Sequence, residues 1–360
     1  MNKFSDSAKK SVMNIKPYIP GKPIEEVQRE YGIREVVKLA SNENPLGPSR
    51  LAVKAMSKKL ASLNLYPESG AFYLRRALAK QIKIKENTLV FGNGSNELLH
   101  LIAEAFVSPG EEVIFSALSF VVYPIATDLA GGVAVQIPHK NFSHDIDGFI
   151  KRLGDRTKLV YICNPNNPTG TSISKEAFEK LMAAVSPKTI VALDEAYFEY
   201  VQDRNFPDGT KYLSKYPNLI VLRTFSKIYG LAGARIGYAI ADPDIIEIIE
   251  RIRPPFNANT LAQAGAQAAI SDRVHLKKTL KTNNEGKKYL YAELGKLGVE
   301  CVPTQANFIF VKFSSNCRVV FEGLLKRGVI IRPQFDNYAR ITIGTMEENM
   351  KLVKALKAVL

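Results

Sequence analysis

Cysteine, histidine and long apolar runs are all scarce in this 360-residue sequence. The three cysteines, Cys163, Cys301 and Cys317, are odd in number and widely spaced, which fits neither a disulfide framework nor a zinc site. The four histidines form no ligand pair of the HExxH kind, so no metal site is expected. These shortages favour a protein of the reducing cytoplasm without a structural metal.

No apolar run reaches the roughly 18 residues that a membrane helix needs. The N-terminal stretch also lacks the continuous apolar segment of a secretory signal, so we expect no membrane partner. Hydrophobic residues make up 46% and charged residues 23% of the chain, as in ordinary globular proteins. The length suffices for one large domain and a smaller one.

Acidic residues are outnumbered, with 35 Asp and Glu against 49 Lys and Arg, and the formal net charge is +14. A positive field attracts anions, including nucleic acid. The lysines are scattered over helical segments and no nucleic-acid recognition motif is present. We therefore expect small, phosphorylated substrates and no nucleic acid. A basic nucleic-acid-binding protein is the alternative, which a gel-shift titration at moderate salt would test.

Strands and helices alternate through the first two thirds of the chain, which predicts a mostly parallel sheet with helices on both faces. Apolar, β-branched runs predict its strands at residues 89–91, 112–115, 133–137, 158–163, 190–193 and 219–222. An α+β pattern follows residue 243, with a long helical stretch that we expect to be irregular near Ser271 and Asp272. The predicted division is an N-terminal arm that packs with the small domain, a large cofactor-binding domain and a small C-terminal domain, at residues 1–30, 31–250 and 251–360.

A glycine-rich turn, FGNGSNE at residues 91–97, leads from a predicted strand into a predicted helix. Bare backbone amides at a helix N-terminus form an anion site. The turn is not a dinucleotide fingerprint, because Glu97 occupies the place of the third glycine, and no Gly-Lys-Ser/Thr follows to make a P-loop. An ordinary turn capped by Ser95 or Asn96 explains it nearly as well.

Two further loops follow buried strands. CNPNNPTG at residues 163–170 is stiff, is compatible with a cis bond at one Asn-Pro step, and offers an asparagine amide to a ring oxygen. VALDEAY at residues 191–197 places Asp194 at the end of an apolar strand, where a carboxylate needs a cationic partner such as a pyridine nitrogen. Tyr197 could reach the phenolate oxygen of the same ring. A plain turn and an N-cap aspartate are the ordinary alternatives.

The stretch NLIVLRTFSKIYGLAGARIG at residues 218–237 places Lys227 directly after a buried strand. A lysine amine in an apolar site loses its proton easily and becomes a nucleophile toward carbonyls. Thr224 and Ser226 offer hydroxyls to an anion, and Arg235 follows further along. The combination suits an aldehyde cofactor that carries a phosphate, pyridoxal phosphate. A solvated turn lysine is the alternative for this stretch taken alone.

The order of these stretches resembles the fold type I pyridoxal-phosphate-dependent aminotransferases over nearly the whole chain. The block LASNENPLGP at residues 39–48, with Tyr66 behind it and RITIGT at residues 340–345, resembles the subfamily that acts on histidinol phosphate. The resemblance implies a large domain built on a mostly parallel, seven-stranded sheet and a smaller α+β domain. It also implies a homodimer in which Tyr66 reaches the cofactor phosphate of the neighbouring subunit.

The resemblance further implies roles for single residues. Lys227 would bind the cofactor covalently and shuttle a proton, and Asp194 and Tyr197 complete the expected catalytic set. The phosphate would be held by Gly94, Ser95, Asn96, Thr224, Ser226 and Arg235, and the ring by Asp194, Asn167, Tyr197 and Phe120. Family members usually have Pro-Thr before the stacking aromatic, whereas this chain has Leu118 and Ser119 before Phe120. The expected substrate-binding residues are Tyr18, Asn42, Asn167, Arg332 and Arg340.

The implied reaction is amino transfer between L-histidinol phosphate and 2-oxoglutarate, giving imidazole acetol phosphate and L-glutamate, in histidine biosynthesis. An aromatic amino-acid aminotransferase or a threonine-phosphate decarboxylase on the same fold is the alternative activity. A pseudoenzyme that binds the cofactor without turnover is a further alternative. The complete set of Lys227, Asp194, Tyr197, Asn167 and Arg235 argues against it.

Overall fold

The computed structural model describes residues 3–13 and 15–360 of the chain. Its helices are α1 Lys10–Met13, α2 Ile24–Tyr31, α3 Arg50–Ser57, α4 Phe72–Ile82, α5 Ser95–Phe106, α6 Val122–Ala130, α7 Ile146–Arg152, α8 Lys175–Ala184, α9 Pro243–Ile252, α10 Thr260–Ala269, α11 Arg273–Lys296, α12 Cys317–Leu325 and α13 Met346–Lys357. Its strands are β1 Val37–Lys38, β2 Leu89–Gly92, β3 Glu112–Ser116, β4 Val133–Ile137, β5 Thr157–Cys163, β6 Ile190–Asp194, β7 Leu219–Thr224, β8 Gly237–Ile240, β9 Glu300–Val302, β10 Phe308–Lys312, β11 Val329–Ile330, β12 Arg332–Pro333 and β13 Tyr338–Thr342.

A seven-stranded sheet in the order β2-β8-β7-β6-β5-β3-β4 forms the centre of the molecule, which confirms the predicted fold class. Neighbouring strands are parallel except at β8, which runs antiparallel to both β2 and β7. The sequence analysis identified the six parallel strands but missed β8. This strand is four residues long and begins at Gly237, so its own residues give only a weak strand signal.

Helices cover both faces of this sheet because its strands are apolar on both sides. In β7, Leu219 and Val221 belong to one hydrophobic cluster, and Ile220 and Leu222 belong to the cluster on the opposite face. The first cluster packs against α4, α8 and α10, and the second against α5, α6 and α9. Continuous apolar strands of this kind are typical of a sheet buried on both faces.

The long helical stretch after residue 260 is divided into α10 and α11, as the sequence analysis expected. The division falls at Asp272, whose side chain accepts a hydrogen bond from the backbone N–H of His275 at 3.0 Å. An aspartate in this position satisfies a donor that has no partner within the new helix, so it begins α11. The break lets α10 pack on α3 and α4 while α11 continues toward the C-terminal sheet.

A second, antiparallel sheet in the order β12-β13-β10-β9 packs with α11, α12 and α13. The N-terminal part of the chain joins this region, because β1 pairs with β11 and Val27 of α2 packs against Leu325 and Ile330. The division at residues 1–30, 31–250 and 251–360 stays a proposal. No helix in the described ranges is long and apolar enough to cross a bilayer.

Candidate active site

The loops that follow β2, β3, β5, β6 and β7 meet at one edge of the central sheet, because these strands run in the same direction. There they enclose a cavity of about 240 Å³ against the C-terminal sheet and the N-terminal segment. Its lining consists of Tyr18, Gly21, Ala40, Ser41, Asn42, Ser95, Asn96, Phe120, Cys163, Asn167, Asp194, Ala196, Tyr197, Thr224, Ser226, Lys227, Ala232, Arg235, Arg332 and Arg340. The structure therefore brings together all the predicted site residues except Gly94 and Tyr66.

Gly94 lies just behind the cavity, against the guanidinium of Arg235. A Cβ at this position would stand 2.4 Å from Nη2 of Arg235, and the backbone φ of Gly94 is +80°. Gly237 approaches equally closely from β8, since a Cβ there would stand 2.3 Å from the backbone nitrogen of Ser95. Only glycine fits at either place. The two glycines thus allow Arg235 to lie beside the first residue of α5.

The N-terminus of α5 and three side chains bring hydrogen-bond donors and a positive charge together at this end of the cavity. Ser95 begins the helix, where backbone N–H groups lack partners within the helix. Thr224 donates a hydrogen bond to the hydroxyl of Ser226 at 3.0 Å, and Arg235 supplies a positive charge. Hydroxyls, amides and a guanidinium around one point are a donor set that suits a phosphate.

Lys227 extends into the cavity from the turn after β7. Its Nζ donates to the backbone carbonyl of Ser41 at 3.2 Å and lies 5.8 Å from the ring centre of Tyr197. Burial, together with the charge of Arg340, lowers the pKa of the Lys227 amine to about 8. A considerable part of the amine is therefore neutral near pH 8, and the neutral amine is the form that attacks a carbonyl or accepts a proton.

Asp194 ends β6 and is the single acidic residue that lines the cavity among the described residues. Its Oδ2 accepts a hydrogen bond from the hydroxyl of Tyr123 at 2.9 Å, and its Oδ1 accepts one from the backbone N–H of Ala196 at 3.2 Å. Burial raises the pKa of the Asp194 carboxyl to about 6, against the lowering effect of these hydrogen bonds. A cationic ligand group in the cavity would stabilise the carboxylate.

Asn167 and Tyr197 approach the cavity from neighbouring strands. Both Asn-Pro bonds of the 163–170 loop are cis. The Oδ1 atom of Asn167 accepts a hydrogen bond from Nη1 of Arg340 at 2.6 Å. The hydroxyl of Tyr197 accepts one from Nδ2 of Asn42 at 2.9 Å, and its ring packs edge-on against Phe308. These contacts leave the Asn167 amide nitrogen and the Tyr197 proton available to a ligand oxygen.

The opposite end of the cavity is cationic. Arg340 is half-buried, its Nη2 donates to the carbonyl of Ala40, and its buried Nε has no partner among the described residues. Arg332 donates to the carbonyl of Ile19 at 2.8 Å, and its guanidinium lies 5.8 Å from the ring of Tyr18. A buried guanidinium N–H without a partner is costly, so it indicates a site for an anionic ligand.

Tyr66 is 82% exposed and does not line the cavity of its own chain. Its ring stacks on Phe256 with the ring centres 4.7 Å apart. It stands among exposed apolar side chains that continue along α3 and into α4, namely Leu51, Val53, Leu60, Leu63, Leu65, Phe72 and Tyr73. Several large apolar side chains exposed within one segment are typical of a protein interface.

Two kinds of contributor to the site were not predicted from the sequence. Backbone carbonyls of Ala40 and Ser41 hold Arg340 and Lys227, and no side-chain pattern reports a carbonyl. Tyr123, which donates a hydrogen bond to Asp194, lies near the start of α6, three residues after Phe120, and the two rings pack edge-on. Its closeness in sequence to a predicted ring-stacking residue was the available signal.

Residues 34–356 match the family model described as aminotransferase class I and II. The chain therefore belongs to the class I and II aminotransferase family. It is 45% identical over 357 residues to the histidinol-phosphate aminotransferase of Moorella thermoacetica, across 98% of this chain and 92% of that protein. It is 46% identical over 355 residues to the histidinol-phosphate aminotransferase of an Anaeromyxobacter species, across 97% of this chain and 98% of that protein.

Solved structures agree with this assignment. The histidinol-phosphate aminotransferase from Sinorhizobium meliloti, crystallised with pyridoxal-5′-phosphate, superimposes with a TM-score of 0.91 at 26% identity, across 100% of this chain and 98% of that one. A double mutant of the aspartate aminotransferase from Thermus thermophilus superimposes with a TM-score of 0.84 at 23% identity, across 98% and 99%. The second likeness shows the fold alone.

Proposed function

We propose that this chain transfers the amino group of L-histidinol phosphate to 2-oxoglutarate, a reaction of histidine biosynthesis, with pyridoxal 5′-phosphate as cofactor. One observation carries the proposal: a half-buried lysine and a buried aspartate line the same cavity in a chain 45–46% identical to histidinol-phosphate aminotransferases. A cytoplasmic location, which the cysteine content favours, is part of this proposal.

The cavity fits the cofactor group by group. The donor set formed by Ser95, Thr224, Ser226 and Arg235 suits its phosphate, as described above. Asp194 would pair with the pyridinium nitrogen, a cation that satisfies the buried carboxylate. Asn167 and Tyr197 would donate to the ring oxygen, Phe120 would stack on the ring, and Lys227 would bind its aldehyde carbon. Every polar group of the cofactor therefore has a complementary partner.

When bound, the cofactor supplies an electron sink that stabilises negative charge on the α-carbon of the substrate. Lys227 is the base that takes the α-proton and returns it, because its amine lines the cavity and its pKa is lowered toward neutrality. Asp194 maintains the sink by holding a proton on the ring nitrogen. The enclosing loops after β3, β5 and β6 exclude water from the basic amine.

The cationic end of the cavity would bind the anionic group of each substrate. Histidinol phosphate carries a phosphate and 2-oxoglutarate carries carboxylates, and a planar guanidinium fits either anion. Arg340, with its unpartnered Nε, is the primary candidate, and Arg332 and Tyr18 are its neighbours in the lining. One arginine can thus serve both half-reactions, which alternate at the same site.

Substrate choice is tested by steady-state kinetics. We expect kcat/KM for histidinol phosphate to exceed that for phenylalanine by about 10-fold or more, because a phosphate offers the guanidinium of Arg340 more charge and more acceptor oxygens than the single carboxylate of phenylalanine. The control is Arg340→Lys, which keeps the charge but loses the planar fork and should reduce the preference. A ratio below one would favour an aromatic amino-acid aminotransferase. Release of carbon dioxide from threonine phosphate would favour the decarboxylase.

The proposed assembly is a homodimer in which Tyr66 completes the cofactor site of its partner. Three observations support it: Tyr66 is exposed, it lies outside its own cavity, and the segments on either side of it carry exposed apolar side chains. Mixing Tyr66→Ala with Lys227→Ala protein would place a native Lys227 and a native Tyr66 at one site of each mixed dimer. We expect recovery of roughly a quarter of the wild-type activity after random exchange of subunits.

The control for that experiment is Tyr73→Ala. Tyr73 is a neighbouring aromatic that is 70% exposed, and its variant should retain activity before mixing. If mixed dimers form, as native mass spectrometry can verify, and activity stays at the level of the separate variants, Tyr66 does not act across the interface.

A further inference from the structure

Asn42 is a buried residue that joins the two sheets through all four of its polar groups. Its Nδ2 donates to the Tyr197 hydroxyl at 2.9 Å, and its Oδ1 accepts from the Thr342 hydroxyl at 3.2 Å. Its backbone N–H donates to the same Thr342 hydroxyl at 2.9 Å, and its carbonyl accepts from Nδ2 of Asn307 at 3.0 Å. Asn42 is only 1% exposed, and each of its four polar groups has at least one partner.

The Thr342 hydroxyl determines which way the amide of Asn42 faces. This hydroxyl already accepts a hydrogen bond from the backbone N–H of Asn42, so its own proton is free to go to the amide oxygen. The amide oxygen therefore faces Thr342, and the amide N–H₂ faces Tyr197. If the side-chain amide were flipped, its N–H₂ would be a second donor toward the Thr342 hydroxyl, and the hydroxyl proton would lose the amide oxygen as its acceptor.

A donor from Asn42 has a direct consequence for the proton of Tyr197. The phenol oxygen accepts on the side of Asn42, so its own O–H must point elsewhere, and the open direction is the cavity that Tyr197 lines. We propose that Asn42 is a positioning residue that aims the Tyr197 hydroxyl proton into the cavity, toward the ring oxygen of the bound cofactor. This inference rests on the proposed function.

The same asparagine connects Tyr197 to the strand that would bind the substrate's anion. Thr342 and Arg340 both lie on β13, two residues apart, so their side chains extend from the same face of the strand. The strand that carries Arg340 thus also holds Asn42 in place. A shift of β13 on anion binding would reach the Tyr197 proton through Thr342 and Asn42.

The backbone of Asn42 dictates which variants can test the proposal. Its φ is +55°, in the left-handed region that glycine adopts freely and that asparagine and aspartate tolerate. Asn42→Gly removes the amide and keeps this conformation. Asn42→Asp keeps the shape but replaces the N–H₂ donor by an acceptor, which would draw the Tyr197 proton out of the cavity. Alanine would add backbone strain and is unsuitable.

The readout is the pH titration of the visible absorbance of the cofactor-loaded enzyme. A donor to the ring oxygen competes with the titrating proton, so losing that donor should raise the apparent pKa. We expect a rise of about one pH unit in Asn42→Gly and more in Asn42→Asp. The other groups that face Tyr197 are Asp194, Lys227, Arg340 and Cys163, and both variants retain them.

A double-mutant cycle separates positioning from a general disturbance of the site. If Asn42 acts through Tyr197, the combination of Asn42→Gly with Tyr197→Phe should titrate like Tyr197→Phe alone. The combination of Asn42→Asp with Tyr197→Phe shows how much of the pKa shift comes from the added negative charge alone. The cofactor dissociation constant, measured by equilibrium dialysis, should follow the same non-additive pattern.

The matched control is Asn349→Asp in α13. Asn349 is fully buried, and its amide bonds only the backbone of Gly344. The Asn349→Asp variant should have a lower midpoint of thermal unfolding and an unchanged absorbance titration. Additive shifts in the cycle, or an unchanged titration in Asn42→Gly, would overturn the inference but leave the proposed function standing. A wild-type protein that develops no cofactor absorbance would overturn both.

Discussion

Lys227→Ala is expected to abolish amino transfer, with kcat reduced by at least about 10⁴-fold. The variant loses the amine that binds the cofactor aldehyde and also the base that moves the α-proton. Lys227 is the single lysine that lines the cavity among the described residues. The measurement is single-turnover conversion of histidinol phosphate, together with the absorbance band of the lysine-bound cofactor, which should be absent from the variant.

A buried lysine that does not line the cavity provides the control for this experiment. Lys287 of α11 is 9% exposed, burial also lowers the pKa of its amine, and its Nζ donates to the carbonyl of Thr304 at 3.3 Å. Lys287→Met should therefore keep the absorbance band and most of the activity. If Lys227→Ala kept the band while Lys287→Met lost it, the lysine that binds the cofactor would have been assigned wrongly.

The pKa of Lys227 also predicts how fast the cofactor-free protein captures the aldehyde. Because the neutral amine is the nucleophile, the rate should rise with pH and level off above about pH 8, the pKa of this amine. A midpoint near 10.5, the ordinary value for lysine, would mean that the amine is solvated.

Asp194→Asn is expected to lower kcat by about 10³-fold. The carboxylate faces the place where the pyridinium nitrogen would lie, and no other acidic residue of the described ranges lines the cavity. An amide cannot stabilise the ring cation, so the ring would lose its proton and withdraw electrons less strongly. Rapid mixing with histidinol phosphate should show slow proton abstraction and a blue-shifted cofactor spectrum.

The control for Asp194→Asn is the neighbouring carboxylate. Glu195 is fully buried, and it pairs with Arg223 at 2.7 Å and accepts the N–H of Gly209, away from the cavity. Glu195→Gln should lower the free energy of unfolding, because it leaves the buried charge of Arg223 with weaker pairing. It should leave the cofactor spectrum unchanged. Equal kinetic defects in both variants would argue against a special role for Asp194.

Much of the architecture could be predicted from local sequence patterns. Apolar β-branched runs identified the six parallel strands, since a strand buried on both faces must be apolar throughout. The helix break at Asp272 was accessible for a similar reason, because a cap acts within a few residues of itself. Strand β8 was missed because a short strand between two partners owes its existence to their hydrogen bonds and not to its own composition.

The chain order of the chemical groups was determined by the sequence alone: a glycine turn, an asparagine loop, an aspartate, a lysine and an arginine, each placed after a strand or turn. These groups lie together because the strands before most of them run in the same direction and end at the same edge of the sheet. Only the tertiary structure decided that Asn42 holds Tyr197 across 155 positions, that Arg340 meets Asn167 across 173, and that Tyr66 does not line its own cavity. Such contacts depend on how two sheets pack against each other, which no periodicity within a single segment encodes.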